Sequence, residues 1–253
     1  MAAVETGRRI RGDGDTAESV WQQWLAAAPP PTVQLDDLLA ASERLVVVSP
    51  HPDDEVLACG GLITLHARRG GEVAIAAVTD GEASHRDDPR WSATFLADAR
   101  RIERRRGLVR LGLPDDPVTR LALPDGGVEA HRDTLARSLR ALLRPTDCVI
   151  ATWRLDGHPD HDASGAAAAR ACVESGCRLL EAPVWMWHWS APDDPRVPWA
   201  RLRALALPPD AQAAKAAALA EHATQLTTRG HDAPVLGPAI LARAARGAEY
   251  FFV

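Results

Sequence analysis

The chain has 253 residues, 46% of them hydrophobic and 25% charged, with a formal net charge of −5. That balance excludes a disordered or membrane-embedded chain and offers no basic face to a nucleic-acid backbone; the length suffices for one large domain with a substantial core. Residues 1–20 lack the apolar stretch of a signal peptide, and Cys59, Cys148, Cys172 and Cys177 form no CxxC pair, so a cytoplasmic protein with reduced thiols, no membrane insertion and no sulfur-bound structural zinc is expected.

In chain order, residues 1–43 read as a helical extension carrying Trp21 and Trp24, followed by a proline-rich tether, the whole packing outside a sheet. Strands are predicted at 44–49, 72–79, 119–124, 147–153 and 178–187. Between them fall helices at 56–69, closed by Gly70 and Gly71, at 92–110, at 131–143, and at 162–175, stopped by Gly176. The five arginines of 100–106 suit a solvated helix face. Residues 190–207 read as a proline-rich loop and 208–228 as an alanine-rich helix. Strand–helix alternation predicts an α/β, Rossmann-like, mostly parallel sheet with helices on both faces, residues 44–253 forming one domain.

In such sheets ligands bind beyond the carboxyl ends of the strands. Three polar clusters leave the predicted strands there: "HPDDE" at 51–55, "VTDGE" at 78–82 and "RLDGHPDH" at 154–161. His51 and Asp54 stand three apart at one turn, and His158 and His161 repeat that spacing at another. Imidazole nitrogen and carboxylate oxygen are the donors of a catalytic zinc, which keeps three protein ligands and one open position. Asp53 or Asp54 alone would read as a helix N-cap; two His-Pro-Asp turns at two strand ends favour a metal. Asp160 is placed to orient the ring of His158 or His161 from behind. On a strand through 183–190, Trp185, Trp187 and Trp189 would face one way and Met186 and His188 the other, lining the crevice or forming a core or homo-oligomer contact.

The motifs "SPHPDDEVLACGG", "VTDGEAS", "RRIE", "GHPDH", "KAAALAEHATQ" and "AEYF" resemble, in order, those of the PIG-L/LmbE zinc-dependent N-deacetylases. The resemblance implies one zinc, or another divalent metal, held by His51, Asp54 and His161. It implies Asp53 as general base on a metal-bound water and His158 as oxyanion stabiliser or acid. It places Arg100, of the family's Arg-x-x-Glu, near the substrate, a small N-acylated amino sugar or conjugate; Glu82, by its place at the rim, and Trp187 and His188, by theirs in the tryptophan stretch, are further candidates for substrate contact. For Arg100 and Glu82, an ion pair with Glu103 on the helix surface and a turn cap are the structural alternatives. A silent sugar-binding module is the alternative to a hydrolase. Some relatives carry tyrosine two residues before the first histidine of the HxxH segment; Asp156 stands there in this chain. The family's His-x-x-Gln falls on His222 and Gln225, read as structural, while His66, His85, His131 and His231 carry no signal.

Overall fold

The computed structural model describes residues 8, 10, 14–85, 88, 90–115, 117–228 and 233–253. His231 and the first seven residues of the extension lie outside the described residues. The chain begins with α1 (Glu18–Ala27) and the short α2 (Leu35–Leu38). Then come β1 (Leu45–Ser49), α3 (Asp54–Arg68), β2 (Val73–Ala77), α4 (Ala93–Arg110), β3 (Val118–Arg120), α5 (Arg132–Leu142) and β4 (Cys148–Thr152). After them stand α6 (Pro159–Ser175), β5 (Arg178–Ala182), α7 (Met186–Trp189), β6 (Leu202–Ala206), α8 (Pro209–Leu219), α9 (Ala223–Leu226), α10 (Pro238–Ala244) and β7 (Ala248–Phe252).

The described strands form one sheet in the order β3-β2-β1-β4-β5-β7-β6. The first five run parallel, and β7 pairs antiparallel with both β5 and β6. The fold is thus Rossmann-like. From β1 the chain moves outward to β2 and β3 on one side, and β4 and β5 extend the sheet on the other, so the switch point lies between β1 and β4. Alternation along β1 feeds both layers. Leu45 and Val47 pack with Val56 and Leu62 of α3 and Leu219 of α8, whereas Val46 and Val48 meet Leu135 and Leu139 of α5 and Ala167 and Ala171 of α6.

Several predicted boundaries are corrected. The fifth strand ends at Ala182, and 186–189 coil into a helical turn. The cause is Asp156, whose buried carboxylate accepts the amides of Val184, Trp185 and Met186, each at 2.9 Å, and curls the chain away from the sheet. The 190–207 segment holds β6, recruited by β7. The 208–228 helix breaks between Leu219 and Ala223, and α10 had no counterpart among the predicted helices. In the N-terminal stretch, Trp21 is fully buried against Trp187 and donates its indole N–H to the Trp187 carbonyl at 3.0 Å, and Thr32 bridges to Ala204. No described helix is long and apolar enough to cross a membrane.

One device in the core bears on the site. Helix α3 breaks at Cys59 (φ −152°, ψ 27°), leaving orphan donors and acceptors in mid-helix. Glu249 of β7 caps the second half by accepting the amides of Gly61 at 2.7 Å and Leu62 at 2.8 Å. Lys215 of α8 takes the Leu57 carbonyl at 3.1 Å and pairs with Glu249 at 2.7 Å. These two residues, from the "KAAALAEHATQ" and "AEYF" motifs, hold the half-helix that begins at Asp54.

Candidate metal and active site

The β1–α3 turn brings three of the expected residues together. Asp54 opens α3, and its Oδ2 accepts the His51 amide at 2.9 Å. The same oxygen lies 3.1 Å from His51 Nδ1 and 3.1 Å from His161 Nε2. His161 Nδ1 faces Asp156 Oδ2 at 2.9 Å, which places the ring proton there and leaves the lone pair on Nε2. Nε2 is buried, and although close to Asp54 it has no hydrogen-bond partner among the described residues. A buried imidazole nitrogen facing a carboxylate already shared with a second imidazole fits the donor set of a divalent cation. Against burial, Asp54 and Asp156 push His161 up to about 9. Burial also opposes the ionised Asp54, yet His161 and His51 hold its carboxyl well below the ordinary range.

Behind His51, Nε2 lies 3.2 Å from Asp160 Oδ2 and 3.3 Å from Asp125 Oδ1. Asp160 therefore does not orient the ring of His158 or His161 with its side chain, as expected, but backs His51, because its carboxylate is also fixed by the amides of Gly126 at 2.7 Å and Val128 at 3.1 Å. The residue behind His161 is Asp156. The Asp160 amide instead donates to His158 Nδ1 at 3.2 Å, leaving Nε2 as the protonated nitrogen of the neutral ring. The His158 ring stands 4.8 Å from that of His51 and 4.9 Å from that of His161. Nitrogens of all three rings lie within 4.8 Å of one another. Burial first, then His51 and His161, lower His158 to about 3, so it enters as a neutral donor and not as an imidazolium.

Asp53 is held in a strained backbone conformation (φ 138°, ψ −25°), which in a non-glycine residue costs about 1–3 kcal/mol. Arg100 secures it: Nη2 reaches Asp53 Oδ2 at 3.3 Å and the Pro52 carbonyl at 2.9 Å, and Nη1 takes the Gly81 carbonyl at 2.9 Å. Gly81 (φ 68°) must lack a side chain, since a Cβ would collide with that guanidinium. Burial raises Asp53 to about 7; Arg100 opposes this and Asp54 adds to it.

The arginine run is divided: Arg105 and Arg106 are exposed as expected, whereas two of its members are buried. Arg100 and Arg104 are each 3% exposed, the second pairing with Glu55 at 3.3 Å, and Glu103 turns to Thr224 instead of Arg100. Glu82 caps a turn by accepting the Asp125 amide at 2.9 Å and does not line the cavity. Trp187, expected at the crevice, packs among Trp21, Trp199 and Tyr250, because the helical turn rotates it inward. His188 does line the cavity, its ring against Arg243. Sequence reasoning missed Asp125, although "LPDGG" comes at the end of the predicted strand at 119–124 and the rim argument reached that far.

His51, Asp53, Asp54, Arg100, Asp125 and His158, with His188, line a cavity of about 570 Å³ beyond the ends of β1 and β4. Fold and donor set define a Rossmann-like hydrolase with its site at the switch point of the sheet. Residues 46–172 match the family described as PIG-L: GlcNAc-PI de-N-acetylase, and the chain belongs to it. It is 28% identical over 252 residues to the 1D-myo-inositol 2-acetamido-2-deoxy-alpha-D-glucopyranoside deacetylase of Tsukamurella paurometabola, covering 73% of this chain and 84% of that one. With the enzyme of the same name from Rhodococcus jostii it shares 30% identity, over 74% of this chain and 83% of the relative. The crystal structure of a conserved protein from Thermus thermophilus superposes with a TM-score of 0.59 at 26% identity, covering 83% and 93% of the two chains.

Proposed function

We propose that the protein hydrolyses the N-acetyl, or another N-acyl, group of an amino sugar or amino-sugar conjugate, with one zinc ion held by His51, Asp54 and His161. The observation that carries this reading is the bare, buried Nε2 of His161 beside an Asp54 oxygen shared with His51. When bound, such a metal lowers the pKa of a water molecule from ~15.7 to ~7 and polarises an amide carbonyl.

The remaining work falls to this chain's side chains. Asp53, outside the ligand set and lifted by burial toward neutrality, accepts the proton of the attacking water and returns it to the leaving nitrogen. The C–N bond breaks, giving a carboxylate and a free amine. His158, with Nε2–H available, donates to the carbonyl oxygen as it gains negative charge. Asp156 and Asp160 fix the tautomers of His161 and His51. Arg100 holds Asp53 and joins the β1 and β2 turns. Residues 44–253 carry this chemistry as one unit, with the described stretch 14–43 packed on it.

The test is amine release from N-acetylglucosamine conjugates by protein stripped with chelator and then given one equivalent of zinc. Zinc-dependent release supports the reading. Sugar binding with no release at any metal content would establish a silent binding module instead.

A further inference from the structure

The stretch that precedes the sheet is docked on residues of the catalytic cavity as well as on the tryptophan cluster behind it. Thr16 donates its hydroxyl to the Ser190 carbonyl at 2.7 Å, the Asp15 amide donates to the His188 carbonyl at 2.7 Å, and Arg243 Nη2 donates to the Thr16 carbonyl at 2.9 Å. Gly14 permits this approach: it stands at φ 93°, and a Cβ there would come within 3.0–3.2 Å of Arg243 and of the His188 ring and carbonyl. Farther upstream, the Arg8 guanidinium lies 5.6 Å from the Trp189 ring and 6.0 Å from that of Trp153. Its stem runs beside Gly157, where a Cβ would meet Arg8 Cβ at 3.3 Å. Trp189 in turn donates its indole N–H to the Asp156 carbonyl at 2.6 Å.

Both anchors adjoin the cavity, since Gly14 faces His188, which lines it, and Gly157 precedes His158, which also lines it. Ile10 lies between Arg8 and Gly14 in the chain, is half-buried, and lines the cavity itself. An isoleucine side chain has no donor, acceptor or titratable group, so it takes no part in the proton transfers given to Asp53 and His158. What it offers a substrate is contact area, the same in the ground state as in the transition state, and such contact enters KM and not kcat. We propose that Ile10 is a specificity-determining residue that contacts the substrate beyond its reacting amide, and that Arg8, Gly14, Asp15 and Thr16 are the positioning residues that hold it there. The inference rests on the deacylase reading and adds to that site a contact supplied from outside residues 44–253.

The experiment compares zinc-loaded wild type, Ile10→Ala, Ile10→Trp and Thr16→Val on N-acetylglucosamine and on its β-1,4-linked dimer and trimer. Amine release gives kcat and KM, elemental analysis gives zinc content, and urea unfolding gives stability; KM does not depend on how much of the protein is folded. For at least one of the three compounds Ile10→Ala should raise KM by about 4- to 15-fold, the contact of one to two methylenes, with kcat and zinc unchanged. Ile10→Trp should shift KM by unequal factors across the three, because the larger ring takes space that the longer compounds need. Thr16→Val, which removes the bond to Ser190, should move KM in the same direction as Ile10→Ala by a smaller factor. An extension that only stabilises the fold would lower the urea midpoint of the variants and leave every KM at the wild-type value; that result, or a fall in kcat at constant KM, overturns the inference while the deacylase reading stands. No amine release by wild type from any of the three overturns that reading and the inference with it.

Discussion

Asn in place of Asp156 tests whether the residue standing where some relatives carry tyrosine sets the metal affinity. In the structure Asp156 is fully buried; one oxygen accepts the amides of Val184 and Met186, and the other takes the Trp185 amide and faces His161 Nδ1 at 2.9 Å. Asp156→Asn leaves one accepting oxygen, which the two amides retain. The new NH2 must then meet the Trp185 amide and His161 Nδ1. Against His161 it forces Nδ1 to accept, moving the ring proton to Nε2, where it blocks the lone pair needed for the metal. Loss of such a partner typically weakens metal binding by 10- to 100-fold, about 1.4–2.8 kcal/mol. The frustrated Trp185 amide and the lost charge-assisted bonds should lower the stability of the metal-free protein by about 1–3 kcal/mol. Zinc affinity is read by competition with a chromogenic chelator, and stability by urea unfolding in excess chelator. Lower stability with unchanged zinc affinity would refute the tautomer argument and leave Asp156 as a cap of α7 alone.

Asp53→Asn should keep stoichiometric zinc by elemental analysis while kcat falls about 10²- to 10⁴-fold, because the amide cannot take the water's proton. His158→Ala should likewise keep zinc and KM and lose about 10²- to 10³-fold in kcat, the effect of removing one oxyanion donor; loss of metal would make it a ligand. Lys215→Met strands the buried Glu249 carboxylate and should destabilise the protein by about 3–5 kcal/mol in denaturant unfolding. His222 is fully buried with both ring nitrogens unpartnered among the described residues, and burial lowers it to about 4. Its folded pKa lies below the unfolded ~6.5, so the unfolded chain binds the proton first and this contribution to stability declines as pH falls from about 6.5 toward 4. The loss should reach about 2 kcal/mol at pH 5 relative to pH 7.5. His222→Gln should show a correspondingly shallower pH slope; an unchanged slope assigns the acid sensitivity elsewhere.

Local chemistry alone made the alternation of strands and helices legible, because apolar runs such as 45–48 and helix stops such as Gly176, at φ 73°, act within a few residues of themselves. The rim clusters were legible for the same reason: in a parallel sheet the segments leaving the strands' carboxyl ends all emerge at one edge, so "HPDDE" and "GHPDH" had to converge. Partnership across that edge was not legible. No spacing in the chain states that Asp156 backs His161 while Asp160 backs His51, since both lie within five residues of the same histidine and only the packing of the 126–128 turn decides between them. The arginines of α4 read as solvated because charge normally is; burial became possible only where Asp53 and Glu55, from a turn some fifty positions earlier, supplied carboxylates. β6, β7 and the turn that removes Trp187 from the cavity were decided in the same way. An antiparallel edge needs a partner strand, and the 183–189 segment needs a buried carboxylate to accept its amides, and each of these arrives only when the tertiary structure closes.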